Sequence, residues 1–345
     1  MTAATDARLR SPSTHHDRAS KVATALLVAL LLLLLLAISL GKVTFTPVEI
    51  VQSLRDDTPS LVRTIVVDIR LPRALLAALV GATLALAGAA LQGVFRNPLA
   101  EPGLIGVSSC ASLGAVLAIY YGLSQMAWFV LPTLAIVGAL FGVTAMLLLA
   151  GRRAATVSLL LAGVAVNAFA GSCVALALNL APNPYAMSEM VYWLLGSLAN
   201  RSHAELQLVL PFIVVGLLLC WRQRRLLDAL SLGEDTAQSL GFAVNRQRLL
   251  LLLGVALAVG AAVSVSGSIG FVGLFIPHLL RPVVGQQPSR LLGLSALAGA
   301  VFLLAADLLV QQIPSAQELK VGVITALVGA PFFLLLVLRH RSLST

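Results

Sequence analysis

Few residues in this chain could do chemistry, and most of them sit at the ends of long apolar runs. Arg70 and Arg73, in IRLPR, are two cations one helical turn apart, suited to orienting an acidic partner if they are exposed. Asp307 lies within an apolar run and Glu318 opens the last one. An ionisable residue inside a membrane is a functional candidate by default, and in a proton-driven carrier Asp307 would hold the proton. The run FRNPLAEPG at 95–103 sets a cation (Arg96), an amide (Asn97) and an anion (Glu101) among two prolines and a glycine. Lipid cannot solvate the exposed backbone of such a segment, so it belongs at a membrane face or in a polar cavity. His278 in IPHLLR has no second ligand at helical spacing and reads as structural. Met187, Met190 and His203 could touch a haem iron, but at a mouth they read as packing or rim residues. Cys110, Cys173 and Cys220 lie in apolar stretches without metal or redox spacing and read as packing residues.

The elements that must position these residues are membrane helices. The chain has 345 residues, 59% of them hydrophobic and only 11% charged, far outside the range of soluble domains. Apolar runs of span length fall near 22–41, 71–94, 104–122, 127–150, 157–181, 205–221, 249–267, 271–285, 291–311 and 319–338. The first contains seven consecutive leucines, Leu30 to Leu36, and is too long for a signal-peptide core, so it is expected to stay as a span. The net charge of +9 needs no nucleic acid, because the basic residues sit at span ends. Arg96, Arg152 and Arg153, Arg222, Arg224 and Arg225, Arg246 and Arg248, Arg281 and Arg290, and the tail Arg339, His340 and Arg341 fall on one side when ten spans are threaded. That side is expected to be the cytoplasm, with both termini on it.

Two loops interrupt the spans. Residues 42–69 are polar and expected outside, with a short helix after Thr46-Pro47. Residues 222–248 form the longest inward connection and contain SLGEDTAQSLG at 231–241, a short amphipathic helix carrying Glu234, Asp235 and Gln238 with Gly241 as its stop. GATLALAGAA (81–90) and GVALAVGAA (254–262) repeat at half the chain length, and five spans per half would make such repeats inverted in the membrane.

Five segments carry a resemblance. IRLPRALLAALVGATLALAGAALQGVFRNPLAEPGLIGVSS (69–109), YWLLGSL (192–198), LSLGEDTAQSLG (230–241), GSIGFVGLFIPHLLR (267–281) and ELKVGVITALVGAPFFLLL (318–336) stand in order. Together, over about residues 22–340, they resemble the FecCD-type permeases of ABC importers for iron–siderophore, haem and cobalamin. The resemblance implies an all-α polytopic protein of about ten transmembrane helices with an inverted five-plus-five repeat, the type II ABC importer permease. It implies a permease domain at 22–340 with a cytoplasmic coupling region at 222–248, between cytoplasmic tails at 1–21 and 341–345. It implies pairing with a second permease, alike or different, a cytoplasmic ATPase pair, a periplasmic binding protein and a metal-chelate substrate, in the bacterial inner membrane. It implies no cofactor and no catalysis by this chain. No GxxxxGK[ST] phosphate loop is present, so the ATPase is a separate polypeptide.

The same resemblance assigns residues. Arg70 and Arg73 would dock the binding protein. Gln311 stands where an arginine is common, and Lys320, in ELKVG where a proline is usual, would compensate. Asn97, Pro98 and Leu99, with Thr156 and Val157, would line the cytoplasmic gate. Leu232, Gly233, Glu234, Ala237, Leu240 and Gly241, in a helix over 227–241, would couple to the ATPase. Asp307 would belong to a structural hydrogen-bond network near the outer mouth. Siderophore ranks first as cargo, then haem, then cobalamin. A proton-coupled secondary transporter is the competing class. A membrane enzyme is disfavoured, since the chain has no HExxH helix and SVSGSIG (264–270) lacks the first glycine of a GxSG serine site.

Overall fold

The computed structural model describes residues 12–41, 43–55, 60–151, 155–285, 287–314 and 318–341. Arg8, Arg10, Arg152, Arg153, residues 342–345 and the side chains of Arg339, His340 and Arg341 lie outside the described residues. Every regular element described is helical: α1 (Pro12–Ser39), α2 (Pro47–Arg55), α3 (Leu61–Arg63), α4 (Leu71–Phe95), α5 (Val107–Tyr120), α6 (Val130–Ala150) and α7 (Thr156–Asn179) come first. They are followed by α8 (Pro184–Leu194), α9 (His203–Arg222), α10 (Arg224–Ser231), α11 (Glu234–Ser239), α12 (Val244–Ser266), α13 (Val272–Val284), α14 (Pro288–Gln312) and α15 (Val321–Arg341).

A helix stands at each of the ten expected span positions. Seven are long and apolar enough to cross a bilayer, while Val107–Tyr120, Val272–Val284 and the Val321–Leu334 part of α15 are shorter apolar helices. The expected start of the second span at residue 71 needs correction. A π-helical turn over Thr64–Arg70 joins α3 to α4, and the helix runs unbroken from Leu61 to Phe95. The last part of the expected polar loop is therefore helix. Such π-turns recur at functional sites because the extra residue re-aims neighbouring side chains. The expected short helix after Pro47 is α2. Thr46 and Glu49 close it with a reciprocal cap, the Glu49 carboxylate accepting from the Thr46 N–H at 2.7 Å and the Thr46 hydroxyl accepting from the Glu49 N–H at 3.3 Å. Those hydrogen bonds hold the Glu49 carboxyl below its ordinary range. The helix α8 was not expected from the sequence; its N-cap is Asn183, which accepts from the Ala186 N–H, and Pro184 follows at the first helical position.

The two repeated small-residue segments lie in the two central helices, α4 and α12, each about four-fifths buried along its apolar window. Small residues set how closely the backbones approach. A Cβ on Gly81 would stand 2.1 Å from the Gly299 carbonyl oxygen of α14, and one on Gly88 would stand 1.9 Å from the Gly273 carbonyl of α13. In lipid, where apolar burial gives no net drive between helices, this backbone-level packing supplies the association. While α4 crosses α14, α12 crosses α6 with Gly260 against Ala139. A five-plus-five repeat makes these two crossings equivalent, second span on ninth and seventh on fourth. By contrast α7 is only about one-fifth buried along its length and leaves Val157, Leu161, Val164, Phe169 and Leu176 exposed.

Candidate functional site

Functional residues gather at the two ends of the helix bundle. At the end opposite the basic loops, the π-turn brings Arg70 inward. Arg70 is 8% exposed, its Nη1 donates to the Ile38 and Ser39 carbonyls at 2.8 and 2.9 Å, and its Nη2 donates to the Val43 carbonyl. The guanidinium also lies 4.9 Å over the Phe45 ring. It thus caps the C-terminus of α1, where a cation meets the negative end of the helix dipole. Arg73 donates through Nε and Nη2 to both oxygens of Asp307, each at 2.8 Å, and Nη2 also donates to Glu318. Asp307 is 1% exposed and accepts a third bond from Gln311 at 2.8 Å. The condition of an exposed arginine pair is not met: Arg70 is buried and Arg73 keeps only 14% of its side-chain surface at the rim, each guanidinium having internal acceptors. Asp307 does sit in a hydrogen-bond network, with Gln311 as one of its members.

Beside this cluster, three breaks in helical structure meet. The segment 195–202 follows α8, residues 267–271 separate α12 from α13, and Lys320 precedes α15. The Ser197 N–H donates to the Ser266 carbonyl at 2.7 Å and the Gly322 N–H to the Gly196 carbonyl at 3.2 Å. A cavity of about 510 Å³ lies there, lined among others by Tyr192, Trp193, Arg201 and Lys320. Nearby, His203 Nε2–H donates to the Val67 carbonyl at 2.8 Å, Met190 is fully buried, and Met187 is half exposed.

At the basic end, α4 stops at a left-handed Arg96 (φ 50°), with Asn97 N–H bonded to the Gln92 carbonyl and Arg96 N–H to the Gly93 carbonyl. That bond pair is a Schellman cap. The Asn97 side chain then accepts from the Leu99 N–H at 2.9 Å, which shapes the Asn-Pro turn. Pro98 and Leu99 are exposed, as is Val157 at the start of α7, while Thr156 is half-buried. Behind the turn, the buried Gln92 donates to the Gly273 carbonyl at 3.3 Å and accepts from Arg281 at 2.8 Å. A cavity of about 220 Å³ between α4, α13 and the start of α14 is lined by Arg96, Pro98 and Arg281. Burial pushes the Glu101 carboxyl in this turn up to about 7. Gln92 was not singled out in the sequence; a lone amide in an apolar helix was its signal. His278 stacks edge-on against Phe332, with ring centres 5.9 Å apart.

The expected single helix over 227–241 is two helices. Gly233 (φ 117°) breaks the chain between α10 and α11, because a non-glycine residue is strained there. Gly241 (φ 87°) ends α11, its N–H bonded to the Gln238 carbonyl and that of Phe242 to the Ala237 carbonyl. Ala237 is buried, whereas Leu232 and Leu240 at the two ends of α11 are 68% and 60% exposed. Glu234 is not a free knob. It pairs at 2.8 Å with Arg248 of α12, whose side chain is 4% exposed, so α11 is tied directly to a central membrane helix. The Asp228 carboxylate of α10 likewise accepts from the Ser289 N–H at the start of α14, at 2.9 Å.

Residues 29–339 match the FecCD transport family. The chain belongs to that family. It is 43% identical over 295 residues to an uncharacterised ABC transporter permease of Bacillus subtilis, covering 84% of this chain and 83% of that one. It is 42% identical over 291 residues to a cobalamin import system permease of Halobacterium salinarum, covering 84% and 77%. A hemin transport system permease of Yersinia pestis is 40% identical over 289 residues, covering 79% and 83%. The fold matches a solved structure described as an inward-facing metal-chelate type ABC transporter, with a TM-score of 0.82, 30% identity and coverage of 93% of this chain and 99% of that one. As a FecCD permease the chain is a transport subunit of an ABC importer and not itself an enzyme. Membership implies ATPase and substrate-binding partners and pairing with a second permease.

Proposed function

We propose that this FecCD permease carries an iron chelate, a ferric siderophore first, across the bacterial inner membrane, with both termini and the basic loops in the cytoplasm. The observation that carries the reading is α11, a short helix with an exposed leucine at each end, locked to α12 by the Glu234–Arg248 pair. A knob that must transmit force needs both an unsatisfied apolar surface for its partner and a stiff link to the membrane helices. In this reading Leu232, Gly233, Glu234, Ala237, Leu240 and Gly241 form the ATPase contact. Asn97, Pro98 and Leu99 with Thr156 and Val157 form the inner gate, at the irregular backbone that a gate requires. The under-packed face of α7 lines the pathway at the permease dimer axis, with two copies or with a sister permease. Arg70 and Arg73 act in docking through their network. A carboxylate of the binding protein competes with Glu318 for Arg73 at the rim, while Arg70 holds the loop that presents it.

Haem or cobalamin is the second reading of the cargo, and the hemin and cobalamin permeases among the relatives favour it. The experiment is ATP hydrolysis by the purified permease–ATPase complex with its binding protein loaded in turn with ferric siderophore, hemin and cobalamin. Stimulation by one loaded form names the cargo. Glu234→Ala is expected to keep ATPase binding and lose that stimulation; full stimulation in the variant would refute the coupling role.

A further inference from the structure

The helix α13 carries a proline at its middle, and that proline leaves a backbone group without its ordinary partner. Pro277 has no N–H, so the Gly273 carbonyl four residues earlier loses its intrahelical donor. Gly273 is buried, and its carbonyl faces α4 so closely that a Cβ on Gly88 would stand 1.9 Å from the oxygen. One turn further along α4, Gln92, 2% exposed, supplies the missing donor. Its Nε2 donates to the Gly273 carbonyl at 3.3 Å and reaches the Leu274 carbonyl at 3.5 Å. The amide can do this in one orientation only. Arg281, one turn after Pro277, can donate but not accept, and its Nη2 donates to Gln92 Oε1 at 2.8 Å. That bond holds the oxygen toward Arg281 and turns the amide NH2 to the freed carbonyl.

The stretch of α13 held in this way is the one on which the inner turn rests. Pro98 and Leu99 line, with Leu274, Phe275 and His278, a gap of about 10 Å³, room for one water at most. Pro102, further along the turn, comes up to Gly273 itself, its Cδ 3.3 Å from where a Cβ would stand. On its other side Arg281 lines the cavity of about 220 Å³ together with Ser231, the last residue of α10. The segment therefore lies between the expected coupling region and the expected gate, and Gln92 ties it to the central helix α4.

We propose that Gln92 is a positioning residue for the inner gate: it replaces the hydrogen bond that Pro277 removes and, aimed by Arg281, keeps the Leu274–His278 stretch seated against Pro98 and Leu99 as the coupling region moves. The proposal rests on the gate and coupling reading above and adds the joint between the two. Without the amide, a buried carbonyl stands unpaired at a proline kink and α13 swings independently of the turn. With it, a displacement of α13 is carried to the turn.

The test is cargo taken up per ATP hydrolysed, in proteoliposomes holding the permease, its ATPase and the binding protein loaded in turn with ferrichrome, hemin and cyanocobalamin. Gln92→Met keeps the length of the side chain and removes the donor. It is expected to lower uptake per ATP about tenfold, the effect of one buried hydrogen bond, with association of the ATPase and of the binding protein unchanged. Pro277→Ala returns an N–H to α13, so the double variant Gln92→Met with Pro277→Ala is expected to recover most of the loss. Should Gln92→Met yield no folded complex, Gln92→Glu takes its place, because the ionised carboxylate keeps the bond to Arg281 and lacks the donor. Unchanged uptake per ATP in the single variant, a fall only in the yield of folded complex, or a double variant no better than the single one would each overturn the role of Gln92. Uptake of none of the three probes by the unaltered complex would instead remove the transport reading, and the joint with it.

Discussion

At the scale of single residues, two carboxylates make the sharpest predictions. Asp307 and Arg73 form a bidentate pair with Asp307 1% exposed, so removing Arg73 leaves Asp307 without a cation, whereas removing Asp307 leaves Arg73 paired with Glu318. Arg73→Ala is expected to cost about 3–5 kcal/mol and Asp307→Ala less, because Glu318 still pairs with Arg73, while the apolar double replacement Arg73→Met with Asp307→Leu recovers most of the loss of Arg73→Ala. Thermal unfolding of the three variants in detergent checks this; additive losses in the double variant would contradict it. Glu101 differs, because burial without a close cation raises its folded pKa to about 7, above the ordinary 4.5. Its protonated form therefore adds stability that is complete below about pH 4.5 and lost as pH rises through 7. The melting temperature of the unaltered protein is expected to fall relative to Glu101→Gln between pH 5 and pH 8; parallel curves would contradict the burial. The sequence announced Asp307 by its place in an apolar run and Glu101 as the anion of the polar FRNPLAEPG turn. It did not announce their partners, because Arg73 and Asp307 are 234 positions apart and only the α4–α14 crossing joins them.

At the scale of elements, small residues decide which helices touch. A side chain at Gly88 would meet the Gly273 backbone at 1.9 Å, whereas one at Gly171 on α7 would meet nothing within 4 Å. Gly88→Val should abolish recovery of folded protein and Gly171→Ala should leave it unchanged, judged by monodisperse yield in detergent; equal yields would mean that the crossing is not backbone-tight. At the stop of α11, Gly241→Ala also meets no neighbour, so only its left-handed backbone resists. The expected cost is about 1–2 kcal/mol, read as a modest fall in melting temperature. The span positions were legible from apolar length, and the repeat correctly marked the two central helices. The π-turn before α4 was not legible, since it goes with a tertiary contact, Arg70 with the end of α1, whereas the break at Gly233 had a local signal in the glycine itself that the single-helix reading passed over. The outer helix α8 was missed because its apolar residues read as a loop rim, although Asn183-Pro184 was a usable start signal.

At the scale of the whole molecule, the basic loops at one end and the Arg73–Asp307–Glu318 network at the other give the bundle two distinct faces. The family resemblance in five ordered segments made the permease fold readable before any coordinates. The cargo was not readable in the same way, and relatives of nearly equal identity include both a cobalamin and a hemin permease. The central claim is that partner ATPases drive transport through this permease and that no proton moves through Asp307. The most direct test is uptake of cargo into proteoliposomes holding the permease, its ATPase and the loaded binding protein. Three conditions are compared: ATP, ATP with a hydrolysis-dead ATPase, and an imposed pH gradient without ATP. The account predicts uptake with ATP alone. Uptake that survives the dead ATPase, follows the pH gradient and disappears in Asp307→Asn would contradict it.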